Sequence, residues 1–74
     1  MKLIQVGKVR PGDLIAGTGP SGNWKDGLGP RRVERIEQAP EHSQRTTAVW
    51  LVWAGDWPRN CYYVDTQVWL AQRP

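Results

Sequence analysis

One cysteine, one histidine and no phenylalanine occur among the 74 residues, and each scarcity excludes something. A lone thiol, Cys61, cannot close an intramolecular disulfide, so the fold rests on its core alone, as suits a reducing compartment. One Cys and one His do not supply four ligands, so no metal site is expected. A catalytic thiol needs a base beside it; only His42 could serve, and nothing in the sequence places it there. His42 reads as a surface histidine in a polar stretch after Pro40. Long apolar runs are missing too. No segment approaches the ~18 residues of a membrane helix, and Met1–Lys8 lacks the apolar stretch of a signal peptide. A cytoplasmic domain with no membrane partner is the expectation.

Length sets the next bound. Seventy-four residues are expected to form one domain, 1–74, burying only about 60% of the surface its unfolded chain exposes. At roughly 0.05–0.15 kcal/mol per residue, such a domain is stable by about 4–11 kcal/mol. Little chain is left over for a deep cleft, so neither an enzyme, a cofactor nor a small-molecule substrate is expected. The acids agree. Asp13, Asp26, Asp56 and Asp65 mostly sit beside glycine or at a strand end, which is turn chemistry. Glu34, Glu37 and Glu41 are interleaved with or follow Arg31, Arg32 and Arg35, which points to charge pairing on a strand. Gly17-Thr18-Gly19-Pro20-Ser21-Gly22 spells G-x-G-x-x-G, but no helix follows to bring its N-terminus to a pyrophosphate. It reads as a loop.

Glycine and proline, by contrast, are plentiful. Their fourteen residues cut the chain into short runs rich in Val, Ile, Trp, Tyr and Thr, which is strand chemistry. The runs are Lys2–Val6, Leu14–Gly17, Arg31–Gln38, Arg45–Trp53, Cys61–Val64 and Gln67–Ala71. Val9-Arg10-Pro11-Gly12-Asp13 makes a turn between the first two, with proline presetting φ and glycine free to take a positive value. Thr18–Pro30, with Trp24 at its centre, is too glycine-laden for regular structure. In the fourth run Thr47, Val49, Leu51 and Trp53 share one face, and Thr46, Ala48, Trp50 and Val52 the other. Trp69, between Val68 and Leu70, is expected to face outward, and Trp57 sits in a hairpin loop with no obvious core to enter. Five or six short strands with turns about every ten residues indicate an all-β barrel or sandwich.

The order of these signals resembles the small SH3-like β-barrels, especially short uncharacterised modules of actinobacteria and their bacteriophages. The residues that carry the likeness are Val9, Pro11, Gly12, Asp13 and Ile15, then Trp24, Val33 and Ile36, then Val49 and Leu51, then Asp65, Val68 and Leu70. They span nearly the whole chain, but their pattern is generic to the fold. The resemblance implies a five-stranded barrel with a short 3-10 turn, at Asp65-Thr66-Gln67, before the last strand. Members of this architecture bind proline-rich peptides, other proteins, RNA or DNA, so it does not select a function. Proline-rich ligands are not expected here, because the acidic cluster of the peptide-binding variety is missing and Thr18–Gly29 offers only Asp26.

The remaining signal is tryptophan together with arginine. Five Trp and two Tyr exceed the needs of so small a core, and ten basic residues against seven acids give a net charge of +3. Arg31, Arg32, Arg35, Arg45 and Arg59 lie on neighbouring strands or loops, and Trp50, Trp53, Trp57, Trp69 and Tyr62 with Arg31, Arg32, Arg35 and Arg59 are the candidate partner-binding residues. Aromatic faces that stack bases beside guanidiniums that hold phosphates suit a nucleic acid. The same residue types dominate protein interfaces, so a host or partner protein, or a second copy of the chain, is the alternative. The simplest reading, tryptophan filling a small barrel under a solvated arginine face, stands beside both.

Overall fold

Alternating β-branched and aromatic residues favour extended backbone, because each pleat sends one side chain inward and the next outward. In the computed structural model, which describes residues 1–18, 29–39 and 47–74, all six runs become strands. They are β1 (Lys2–Gln5), β2 (Leu14–Gly17), β3 (Arg31–Gln38), β4 (Ala48–Trp53), β5 (Asn60–Tyr63) and β6 (Gln67–Gln72). Most of the loop around Trp24, with the G-x-G-x-x-G string from residue 19 on, lies outside the described residues. So do Glu41, His42, Arg45 and Thr46.

The strands form one antiparallel sheet in the order β1-β6-β2-β3-β4-β5. The protein is therefore all-β, with six strands where the resemblance implies five. Its ladder does not close, since β1 and β5 are the two edges. The sheet nevertheless curls around a single core. β3 pairs through Arg31 and Arg32 with β2, and through Val33–Gln38 with β4. A register shift between Val33 and Arg35 lies where it changes partner; an extra residue in one strand bends it and raises its twist.

A 3-10 turn, η1 (Val6–Lys8), continues from β1 and brings the two edges together. The Val6 N–H donates to Thr66 O at 2.7 Å and the Gly7 N–H to Val64 O at 2.9 Å. The 3-10 turn thus follows the first strand. Before the last strand stands a single tight turn, closed by the Thr66 N–H to Tyr63 O at 3.0 Å. Only Val64–Thr66 separate β5 from β6.

Val6, Val9, Ile15, Val33, Val49, Leu51, Trp53, Val68 and Leu70 make up the buried core. β4 supplies Val49, Leu51 and Trp53 to it, as its alternation requires, while Trp50 and Val52 are half-buried on the outer side. At Arg10–Asp13 the Asp13 N–H donates to Arg10 O at 3.1 Å, and Gly12 takes φ +93°. Proline then glycine with positive φ is the pattern of a type II turn. Among the described residues no helix is long and apolar enough to cross a membrane.

Candidate functional site

The register across β3, β4 and β5 sets Glu37, Trp50 and Cys61 in a row on the outer side of the sheet. Arg59, just before β5, lays its guanidinium over the Trp50 ring, 4.0 Å from the centroid. Its Nη1 donates to Glu37 Oε1 at 3.0 Å. Arg35, two residues from Glu37 on the same face, donates from Nε to Glu37 Oε2 at 3.0 Å and from Nη1 to Glu34 Oε2 at 2.7 Å. The Arg35 hydrogen bond holds the Glu37 carboxyl below its usual range, with Arg59 assisting. Same-strand charge pairing is therefore what this face contains. Both of its arginines already satisfy carboxylates, and the Trp50 face that a base would stack on carries a guanidinium.

Arg31 and Trp57 lie on the other side. Arg31 is in register with Ile15 and alternates with Val33, so its side chain enters at the rim of the core, where only 8% of the residue is exposed. Its guanidinium stacks on Trp57, 4.2 Å from the ring centroid. Trp57, for which no core was apparent, packs against the core cluster beside Tyr62. Burial raises the pKa of the Tyr62 hydroxyl, and the Arg31 charge partly offsets it. Trp53 is 1% exposed, its indole N–H donating to Asn60 Oδ1 at 2.7 Å. Trp69 is half-buried on β6, between Val68 and Leu70 in the core, and is in register with Leu3 of β1.

The nine described candidates thus divide among four places and do not make one aromatic-basic face. Trp50, Arg35 and Arg59 lie outside β3–β5. Arg31, Trp53, Trp57 and Tyr62 lie at or in the core, which removes Trp53 and most of Arg31 from any partner's reach. Trp69 lies outside β6. The ninth, Arg32, is exposed and turns toward the Arg10–Asp13 turn, its Nη1 donating to Gly12 O at 2.6 Å.

That turn gathers a set of cations that composition alone does not pick out. Asp13 is fully buried and organises it. Its Oδ2 accepts the Arg10 N–H at 2.9 Å, and its carboxylate takes a forked pair from Arg73, Nε to Oδ1 at 3.0 Å and Nη2 to Oδ2 at 2.8 Å. Burial alone would raise the Asp13 pKa, but the bonds from Arg73 and the Arg10 N–H outweigh it and leave it lowered. Arg73 Nη2 also reaches Lys8 O at 3.1 Å. Lys8 and Arg10 through their backbones, and Arg32 and Arg73 through their side chains, are thus tied to one turn, whose own side-chain carboxylate, Asp13, is buried and already bound. Among the described residues Lys8, Arg10 and Arg32 form no ion pair, and Asp56 and Asp65 are exposed.

Beside η1, at the edge of β5, lies an open depression of about 260 Å³ lined by Ala48, Cys61, Tyr62, Tyr63 and Thr66. Tyr63 is 46% exposed. Comparison of the chain with protein-family models, curated proteins and solved structures returns no match.

Proposed function

We propose that the domain is a non-enzymatic binding module of the SH3-like barrel kind, working in the cytoplasm, and that its partner is nucleic acid. It contacts the phosphate backbone through the basic crest of Lys8, Arg10 and Arg32, beside which Arg73 is held by Asp13. The observation that supports this reading is the charge accounting at the Arg10–Asp13 turn: Lys8, Arg10 and Arg32 lie in or against it and form no ion pair among the described residues, while the side-chain carboxylate of the turn, Asp13, is buried and bound by Arg73. The outer arginines do not serve, because Glu34 and Glu37 already hold them. A phage-encoded accessory role remains part of the proposal and rests on the sequence resemblance.

Binding of this type is weak, tolerant of sequence and dependent on salt, because each phosphate contact releases condensed counterions. Fluorescence anisotropy of labelled oligonucleotides titrated with the protein tests it. The expected result is binding at low salt that fades as salt rises. Absence of binding even at low salt would leave a protein partner as the better reading. For that reading Leu3 and Trp69 are the natural anchor, since they are cross-strand neighbours outside the core and Leu3 is 41% exposed.

A further inference from the structure

The depression at the β5 edge is joined to η1 by short backbone hydrogen bonds. Thr66, which lines it, accepts from the Val6 N–H, and Val64 accepts from the Gly7 N–H. Lys8 is the next residue in η1. A cation therefore begins one residue from the segment that walls the depression. Its lining residues are two tyrosines, Tyr62 and Tyr63, with Ala48, Cys61 and Thr66. At about 260 Å³ it falls below the roughly 300–1,000 Å³ of sites for drug-sized ligands, and suits a single planar ring.

We infer that this depression receives one unpaired nucleobase while Lys8 and Arg10 hold the flanking phosphates, so that the module prefers single strands to duplex. The inference rests on the nucleic-acid reading above and adds the strand preference to it. Bases inside a duplex are stacked and paired and cannot enter an edge depression, whereas an unstacked base offers a flat face to tyrosine and a polar rim to hydroxyl groups. Tyr63, the more exposed of the pair, supplies the stacking face. Asp65, exposed in the turn beside Thr66, opposes an approaching phosphate and sets a limit on affinity.

The test compares a labelled single strand, the same strand with abasic sites and the matching duplex, by anisotropy at one salt concentration. Wild type, Tyr63→Ala, Tyr63→Phe and the Lys8→Ala/Arg10→Ala double variant are titrated, each first checked for a wild-type-like melt. The single strand is expected to bind best. Tyr63→Ala should weaken it about five- to a hundredfold, the range of one lost stacking contact, down to the level of the abasic strand. Tyr63→Phe should retain binding, and duplex affinity should be the same in all Tyr63 variants. Equal affinity for normal and abasic strands, or a Tyr63→Ala variant that binds single strands like wild type, overturns the base site. If the Lys8/Arg10 variant then still loses duplex binding, the crest reading survives alone. No binding of any strand overturns both.

Discussion

The outer face of β3–β5 and the turn at Arg10–Asp13 are both rich in arginine, yet they differ in what surrounds each charge. On the outer face Arg35 and Arg59 share Glu34 and Glu37, and Arg59 covers Trp50. At the turn the buried Asp13 carboxylate serves Arg73 and the Arg10 backbone, and the side chains of Lys8, Arg10 and Arg32 form no ion pair among the described residues. Residue type alone would rank the outer face higher, because it has the tryptophan. The neighbouring carboxylates reverse that order. An arginine beside an aromatic ring is a nucleic-acid ligand only when nothing closer has claimed it.

The largest effect that would sharpen this contrast is on stability. Asp13→Ala removes a fully buried acceptor of three hydrogen bonds and should cost about 2–3 kcal/mol in denaturant unfolding, the scale of bonds to charged groups. Glu37→Ala, on the exposed network, should leave the midpoint close to wild type, as exposed pairs contribute little. The Asp13 contribution also has a pH signature. Its folded pKa lies below that of an ordinary aspartate, so the stabilisation is complete above the ordinary value and is lost as pH falls through the folded one. An acid titration of the melting temperature should show this loss below about pH 4 in the wild type, and less of it in Asp13→Asn.

Next comes binding. Lys8→Ala/Arg10→Ala should lower oligonucleotide affinity at least about tenfold at low salt, as expected for two lost phosphate contacts. A variant with unaltered affinity would break the distinction between the two regions. The smallest effect belongs to the outer face. Trp50→Ala and Arg59→Ala should each bind within about twofold of wild type, since exposed pairs of this sort contribute little; a loss as large as that of the crest variant would restore the outer face as the site.

Much of the fold was legible in the residues. Proline and glycine at Pro11 and Gly12, Gly55 and Pro58 bound the runs that became strands, and the alternation in β4 sorted Val49, Leu51 and Trp53 from Trp50 and Val52. Trp69 followed its neighbours outward, and the Glu and Arg of β3 paired as their spacing suggests. The candidate site was less legible, because it depends on which strands are neighbours. Arg31 faces the core through its register with Ile15, and Asp13 finds its partner at Arg73, sixty residues away. No local pattern announces either. Lys8 and Arg10 carry no aromatic companion in sequence, and their grouping with Arg32 arises only when β3 passes beneath the turn. Trp53 belongs to the inner set by its own alternation; its polar indole N–H finds Asn60 across the hairpin, which lets it be buried.

The measurement that tests the central claim most directly is the salt dependence of oligonucleotide binding in two charge variants, Lys8→Ala/Arg10→Ala and Arg35→Ala/Arg59→Ala. With three or four phosphates on the crest, log affinity should fall against log salt with a slope of about −3 for duplex and about −2 for single strands. The crest variant should flatten that slope by about 2, while the outer variant keeps it. A slope unchanged in the first and flattened in the second would contradict the account.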